Sequence, residues 1–392
     1  MDSTDVIVVG GGVIGLAIAW EATRTGRRVV VVDPAPGSGA SHAAAGMLAA
    51  VSEYHYQEEG LLGLMLESAR AWPEFADGVG AGCGYLGTPT LCLAFDPADR
   101  QALADLRAVQ EAHGLDVRPL SLREARTREP LIAPSLAGAF EIPADHQVDP
   151  RRLTASLVDA LTAEHGPGAV LRSRAESLVA DGPGTGIAGV RLEDGRVLRA
   201  PETVVANGLG ARGLGGLPVE LPLRPVHGDI LRLRVPERLR PLLDSTVRGL
   251  VRGRPVYIVP REDGTAVIGA TQREDGAEGV LAGGVYELLR DAQALVPAVA
   301  ELELLEATAR ARPGTPDNAP LLGRVRAHDG GGHVPGLIVA TGFFRHGVLL
   351  APAAARVVLG LLDGHADPRW EAFLPDRFAP AGRAAAAAHG GT

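Results

Sequence analysis

The segment Asp5-Val-Ile-Val-Val-Gly-Gly-Gly-Val-Ile-Gly15 decides the fold of this chain. It begins with a short apolar run rich in β-branched residues, which is typical of a strand buried on both faces. A glycine-rich turn follows at Gly10–Gly15, and Leu16–Ala22 has helical character. A second apolar run, Arg28–Asp33, ends in an acidic residue. The order strand, turn, helix, strand predicts a compact β-α-β unit.

The spacing of the glycines in this unit predicts a dinucleotide site. Gly10 permits the tight turn off the strand, Gly12 lets the backbone approach a pyrophosphate, and Gly15 lets the helix pack closely on the sheet. The helix begins at Val13 and Ile14, where free N–H groups and the positive end of the helix dipole favour phosphate. Asp33 ends the second strand, where a carboxylate accepts hydrogen bonds from ribose hydroxyls.

The loop after Asp33 favours FAD over NAD. A nicotinamide-binding domain normally continues with its next strand and helix, whereas this chain has a long stretch of small residues from Pro36 to Leu48. An extended flavin dinucleotide needs such close approach of the backbone, although a flexible surface loop is the alternative. The cofactor-binding residues predicted here are Pro34, Ala40, Ser41, Ala45, Gly46 and Met47.

The composition excludes several other classes of protein. The 392 residues carry 38 basic and 47 acidic side chains, a net charge of −9, and no lysine. The absence of lysine excludes a PLP Schiff base and a P-loop lysine. The acidic balance disfavours nucleic-acid and membrane partners. The two cysteines, Cys83 and Cys92, indicate a reducing, cytoplasmic location, and neither they nor the histidines suggest a metal site.

The remaining elements follow in an irregular order. Helical patterns are predicted at Leu61–Phe75, Asp99–His113, Pro150–Glu164 and 284–294. Strands are predicted at Thr90–Phe95, Val170–Arg174, Gly189–Leu192, Thr203–Ala206, Gly228–Val235, Val256–Val259 and Ala266–Gly269. Asp149 is the expected N-cap of the third helix, with Pro150 at its first position.

Four motifs together resemble a known family. They are Gly10-Gly-Gly-Val-Ile-Gly15, Ser41-His-Ala-Ala-Ala-Gly-Met-Leu48, the pair Tyr257-Ile-Val-Pro-Arg261 and Val267-Ile-Gly-Ala-Thr271, and the pair Arg312-Pro-Gly-Thr-Pro-Asp-Asn-Ala-Pro-Leu-Leu-Gly323 and Thr341-Gly-Phe-Phe-Arg-His-Gly-Val-Leu-Leu-Ala-Pro352. In this order they resemble the D-amino-acid oxidase family of FAD-dependent amine oxidases. Within it, the chain is most similar to the bacterial glycine oxidases of thiamine biosynthesis.

The resemblance implies an α/β fold with an α+β second domain. The Rossmann-like FAD-binding domain would be built from the discontinuous segments 1–85, 147–222 and 308–378. An antiparallel-sheet substrate-binding domain would comprise 86–146 and 223–307, and residues 379–392 would form a disordered tail.

The resemblance also implies roles for individual residues. Arg312 would hold the substrate carboxylate, Tyr257 would donate a hydrogen bond to the same group, and Arg345 would lie beside substrate and flavin. The backbone of Leu178 would contact the adenine end. A loop would follow the flavin edge, with a helix beginning there that aims N–H groups at the C2 oxygen of the ring. Its residues are Phe343, Phe344, Arg345, His346, Gly347, Val348 and Leu349.

The implied reaction is oxidation of glycine by non-covalent FAD. Hydride passes from the α-carbon to the flavin, giving an imine that hydrolyses to glyoxylate and ammonia, and O2 becomes hydrogen peroxide. The product would feed the thiamine thiazole, with a possible hand-off to thiazole synthase. The resemblance further implies a homo-oligomer such as a tetramer.

Departures from the family pattern leave alternatives open. Gln272 stands where glycine oxidases usually have Met, Pro255 replaces a polar residue, and Phe343 and His346 replace the usual His and Asn. A sarcosine oxidase, a D-amino-acid oxidase and a flavin dehydrogenase with another electron acceptor are the competing enzymes. The sarcosine oxidases of the monomeric type resemble one another in using a lysine for oxygen activation and a cysteine for covalent attachment of the flavin. This chain has no lysine, and neither Cys83 nor Cys92 lies near the flavin-edge motif. A flavin-binding subunit without activity is the remaining alternative.

Overall fold

The structure is a computed structural model that describes residues 4–54, 58–182, 186–327 and 332–379. Its strands are β1 Val6–Val9, β2 Val29–Val32, β3 Met47–Leu48, β4 Tyr85–Leu86, β5 Thr90–Ala94, β6 Arg118–Leu120, β7 Gly138–Ile142, β8 His146–Val148, β9 Val170–Leu171, β10 Ala175–Ala180, β11 Ile187–Leu192, β12 Val197–Arg199, β13 Glu202–Val205, β14 Arg224–Arg234, β15 Thr246–Val251, β16 Arg254–Pro260, β17 Thr265–Gly269, β18 Glu303–Gly314, β19 Leu321–Arg326 and β20 His333–Thr341. Its helices are α1 Val13–Arg24, α2 Ala40–Ala43, α3 Glu59–Val79, α4 Pro97–Ala112, α5 Leu122–Arg128, α6 Pro150–His165, α7 Ala282–Leu295 and α8 Ala351–Leu362.

The N-terminal β-α-β unit is present as predicted. All four residues of β1 are buried, and β1 pairs in parallel with β2 on one side and β13 on the other. Gly10 has a φ of +112°, and a Cβ at Gly15 would stand 1.9 Å from the Gly10 carbonyl oxygen. Both positions therefore exclude a side chain, because one needs left-handed backbone and the other has no space.

Distant segments assemble the first sheet. Its strand order is β19-β20-β13-β1-β2-β9, parallel except for the β19–β20 pair. Helices α1, α3, α6 and α8 cover one face and share a core around Trp72 and Leu153. The small sheet β10-β11-β12 contributes Leu178 and Val190 to the core on the opposite face. This arrangement confirms the predicted α/β domain built from discontinuous segments.

The second large sheet has the order β18-β14-β17-β16-β15-β5-β7-β6. Helix α7 packs on it, and Leu231, Ile258 and Leu295 lie in their common core. The sheet is antiparallel except for the pair β15 and β5, which is parallel. No hairpin joins these two strands, since they come from separate chain segments, so either orientation was available to them. Strand β18 runs through the predicted boundary at 307/308, and the exact domain limits stay a prediction.

The predicted N-cap of α6 is present in the structure. The Asp149 carboxylate accepts hydrogen bonds from the N–H groups of Arg151 and Arg152, so it caps α6, which begins at Pro150. The segment after Phe343 differs from the prediction. It forms a 3-10 turn at Phe344–His346, and the regular helix α8 begins only at Ala351.

Among the described residues, no helix is both long enough and apolar enough to cross a bilayer. Of the predicted disordered tail 379–392, residues 380–392 lie outside the described part of the chain.

Candidate active site

A cavity of about 710 Å³ runs along the carboxyl ends of β1 and β13 and under strands β14 to β18. Its size is in the range of natural ligand sites. Many of the predicted site residues line it, and they come from segments far apart in sequence. These residues are Gly12, Val13, Ile14, Asp33, Ala40, Ser41, Ala45, Gly46, Met47, Tyr257, Arg312, Phe343, Phe344, Arg345, His346, Gly347, Val348 and Leu349.

One end of the cavity fits a dinucleotide. Asp33 accepts hydrogen bonds from the N–H groups of Gly11 (2.7 Å) and Ala35 (2.8 Å), which hold its carboxylate at the end of β2. The Ser41 hydroxyl accepts from the N–H of Val13 at 3.0 Å, so this loop meets the start of α1. A Cβ at Gly12 would lie 3.3 Å from the Ser41 oxygen. The N-terminus of α1 therefore borders this end of the cavity, where its N–H groups and the helix dipole favour an anionic group.

Leu178 and Pro34 do not line this cavity. The N–H of Leu178 donates to the carbonyl of Gly215 at 2.8 Å, and its side chain packs in the core with Val9. The expected contact between its backbone and an adenine ring stays a prediction. Gly10 and Gly15 also lie outside the lining, where they shape the turn instead.

At the other end of the cavity, the guanidinium of Arg312 lies against β14 at Gly228, a position without a side chain. A Cβ at Gly228 would stand 2.3 Å from Nη1 of Arg312 and 2.5 Å from the Thr271 carbonyl oxygen. Nη1 lies 3.5 Å from that oxygen. No carboxylate forms an ion pair with Arg312 in the described part of the chain, so its charge is available to a ligand.

Tyr257 extends over the neighbouring strand beside this guanidinium. A Cβ at Gly269, its partner in the β16–β17 ladder, would stand 2.3 Å from the phenolic oxygen. Burial raises the pKa of Tyr257 to about 12, although the positive charge of Arg312 opposes that rise. The phenol is therefore a neutral hydrogen-bond donor at physiological pH.

A network of ion pairs borders this end of the cavity, where Arg248, Glu53 and Arg345 line it. We call Arg248, Glu53, Arg345 and Glu58 the distal ion cluster. Arg248 hydrogen-bonds Glu53, Nε of Arg345 lies 3.3 Å from Oε2 of Glu53, and Arg345 also hydrogen-bonds Glu58. Burial opposes ionisation of Glu53, but the charges of Arg248 and Arg345 lower its pKa to about 2. Glu53 and Arg248 are 195 positions apart, so no local pattern could have identified the pair.

Arg261, the last residue of the motif Tyr257–Arg261, has a structural role that the sequence did not predict. Its guanidinium is buried and donates to Gln147 Oε1 at 3.0 Å, to the carbonyl of Val148 at 2.9 Å, and to the carbonyl of Ala45. Burial lowers its pKa to about 10. Arg261 therefore ties the end of β16 to the loop that lines the cavity at Ala45.

Helix α3 holds the loop at the opposite wall. Ser68 and Trp72 both donate to the Leu349 carbonyl, at 2.6 and 2.8 Å. The Ser68 hydroxyl also accepts from the N–H of Ala353 at 3.2 Å. These bonds set the position of residues 343–349 against the start of α8.

The residues that depart from the family pattern lie where they can affect a ligand. Gln272, Pro255, Phe343 and His346 all line the cavity. Asp229 holds the Gln272 loop, since its carboxylate accepts from Thr271 Oγ1 at 2.9 Å and Arg273 Nη1 at 2.6 Å. The described residues contain no cluster of three potential metal ligands, and the absence of a metal stays a prediction.

Comparison with known proteins agrees with this geometry. The sequence profile of the family FAD dependent oxidoreductase matches residues 5–361. A glycine oxidase of Geobacillus kaustophilus is 34% identical over 367 residues, which are 92% of this chain and 93% of that protein. The crystal structure of glycine oxidase from that organism superposes with a TM-score of 0.84 at 32% identity, covering 96% of this chain and 99% of the other.

A longer relative matches this chain over about half of its own length. The bifunctional protein ThiO/ThiG of Trichormus variabilis is 31% identical over 385 residues, which are 95% of this chain but 55% of that protein. The chain thus spans about half the length of this bifunctional relative. The family match confirms the resemblance drawn from the four motifs and the expected cofactor, FAD. The chain belongs to the FAD dependent oxidoreductase family.

Proposed function

We propose that this enzyme oxidises glycine with non-covalent FAD and O2. The observation that carries the proposal is the pair Arg312 and Tyr257, which face the same cavity as the dinucleotide-binding turn. Relatives named glycine oxidase support the choice of substrate.

The carboxylate of an amino acid would bind between these two side chains. Arg312 offers two parallel N–H donors with no competing carboxylate among the described residues, which suits bidentate binding. Tyr257 adds one donor without adding charge, since its phenol stays neutral. Together they would fix the orientation of the α-carbon.

The cofactor would be held mainly by backbone. The N–H groups at the start of α1 suit the pyrophosphate, Asp33 suits ribose hydroxyls, and residues 40–47 and 343–349 would border the ring. FAD supplies the chemistry by accepting a hydride from the α-carbon and passing electrons to O2, which gives hydrogen peroxide. Cys83 and Cys92 are buried, free and absent from the cavity lining, which supports non-covalent binding.

The protein's own contribution is orientation and exclusion of water. The substrate amine loses its proton before the α-carbon is oxidised, and no side chain needs to act as a base at that carbon. Arg312, Tyr257 and the walls of the cavity hold the substrate in place. The imino acid released then hydrolyses to glyoxylate and ammonia.

We further propose a pathway that uses the product, an oligomeric state and a cellular compartment for the enzyme. The fused ThiO/ThiG relative supports a link to the thiamine thiazole and a hand-off to thiazole synthase. A homo-oligomer, such as a tetramer, is proposed from the family resemblance alone. Two free buried cysteines support a reducing, cytoplasmic compartment.

An absorbance experiment tests the substrate and the acceptor together. The purified protein should show flavin bands that bleach with anaerobic glycine and recover in air with formation of peroxide. Sarcosine and D-alanine are the comparison substrates. If either bleaches the flavin while glycine does not, glycine is the wrong substrate. If glycine bleaches it but air restores it slowly and a dye restores it fast, the enzyme is a dehydrogenase.

A further inference from the structure

The distal ion cluster lies next to the proposed carboxylate site. Arg248 on β15 stands directly opposite Tyr257 on β16, so the two side chains share one face of the sheet. Directly opposite residues of an antiparallel pair have Cβ atoms about 5 Å apart. A substrate held by Arg312 and Tyr257 would therefore have the Arg248–Glu53 pair on the far side of the phenol.

The arginines at the substrate end of the cavity differ in whether a carboxylate of the protein already binds them. Arg248 is bound to Glu53, and Arg345 is shared between Glu53 and Glu58. Arg312 has no carboxylate partner among the described residues. Arg310 also lines the cavity, but its Nε is directed to the carbonyl of Ser38 in the dinucleotide loop, at 3.5 Å. At the substrate end, one guanidinium is thus left for one carboxylate.

Glu53 determines how many arginines at this end of the cavity are free to bind a carboxylate. Its carboxylate contacts both neighbouring arginines, and its side chain is only 13% exposed. A second carboxylate entering here would have to displace Glu53 from Arg248 or lie beside its negative charge. Bringing two carboxylates together away from water is strongly unfavourable.

We propose that Glu53 is a specificity-determining residue that restricts the enzyme to amino acids with a single carboxylate. Arg248 is a latent second carboxylate site, which Glu53 occupies. The inference rests on the proposed function, since it assumes that Arg312 binds the substrate carboxylate. Neutral small side chains fit the space, whereas dicarboxylic amino acids are rejected.

The test uses the FAD-loaded enzyme and two ligands that are not oxidised, acetate and malonate. Their dissociation constants are read from the shift of the flavin absorbance bands. The wild type should bind acetate more tightly than malonate. Glu53→Gln keeps the shape of the side chain and should raise the affinity for malonate relative to acetate roughly tenfold or more. The double variant Glu53→Gln/Arg248→Met should lose that gain.

Two results would overturn the proposal. One is an unchanged malonate-to-acetate ratio in Glu53→Gln, and the other is a gain that survives in the double variant. If Glu53→Gln does not bind FAD, Arg248→Met alone decides the question. Glu53 then keeps only Arg345 to balance it, so malonate binding must weaken relative to acetate. Glycine turnover by the wild type, measured alongside, separates a failure of the proposed function from a failure of this inference.

Discussion

The phenolic oxygen of Tyr257 lies above the α-carbon of Gly269, so close that a Cβ there would stand 2.3 Å from it. The same Cβ would stand 2.5 Å from the ring carbon that carries the hydroxyl. Because Tyr257 faces the cavity beside Arg312, the absence of a side chain at 269 sets where its hydrogen-bond donor lies. Gly228 has the same relation to Arg312.

Gly269→Ala should therefore impair substrate binding through Tyr257. The added methyl group displaces the phenol, and loss of a hydrogen bond to a charged group costs about 1.5–3 kcal/mol. We expect the KM for glycine to rise roughly 10- to 150-fold. Steady-state kinetics with glycine measures it. Gly283→Ala is the matched control, since a Cβ there meets no atom within 4 Å. A Gly269→Ala enzyme with the kinetics of the wild type would contradict this placement of Tyr257.

Arg312→Leu should abolish most glycine turnover while FAD stays bound. Removing one partner of a desolvated charge pair costs about 2–5 kcal/mol, which is roughly a 30- to 5,000-fold loss in kcat/KM. Kinetics and the flavin absorbance spectrum check the two parts separately. Arg234→Leu is the control, because that arginine is exposed and paired at the surface with Glu303. Near-normal turnover by Arg312→Leu would show that the carboxylate binds elsewhere.

Features that depend on residues close together in the sequence were predicted best. The β-α-β unit that contains Gly10 to Asp33 was predicted correctly, because its strand, turn and helix signals lie within one short segment. The cap of α6 by Asp149 was likewise readable from two adjacent residues. The pairing of the Leu178 N–H with the Gly215 carbonyl was not predicted, because a strand pattern does not tell which edge of a strand pairs with a loop, and the contact of Leu178 with the adenine end stays a prediction.

The features that were missed join residues far apart in the chain. Arg248 and Glu53 are 195 positions apart, and Ser68 and Leu349 are 281 apart. Neither Glu53 nor Ser68 lies in a motif with a chemical signature, and each gains its role only when two domains or two helices meet. Periodicity and spacing carry no information on such contacts.

The pH dependence of the Tyr257 contribution should be flat across the ordinary alkaline range. Burial raises the pKa of this phenol to about 12, so the neutral donor persists where an ordinary tyrosine with a pKa near 10 would ionise. We expect Tyr257→Phe to lower kcat/KM by the same factor from about pH 8 to about pH 10.5.

The measurement is the ratio of kcat/KM between wild type and Tyr257→Phe at each pH. Tyr286→Phe, at a side chain that is 65% exposed, controls for general effects of a lost phenol. A ratio that shrinks through pH 10 would mean that the phenol ionises there, and hence that Tyr257 is accessible to water.

Ser68 should matter for FAD affinity although it does not line the cavity. Its hydroxyl donates to the Leu349 carbonyl and accepts from the Ala353 N–H, which joins the cavity loop to the start of α8. Ser68→Ala leaves the buried N–H of Ala353 without its partner, at a cost of about 1–3 kcal/mol in the free energy of unfolding. The loosened loop should also raise the dissociation constant of FAD several-fold.

The double variant Ser68→Ala/Trp72→Phe should show the largest loss of FAD affinity. It leaves the Leu349 carbonyl without either of its two donors, so FAD binding should weaken more than in either single variant. FAD titration followed by flavin fluorescence measures affinity, and thermal unfolding measures stability. Ser135→Ala, at an exposed serine, is the control. If the melting temperature falls but FAD affinity does not, these bonds stabilise α3 and α8 without positioning the loop at the cofactor.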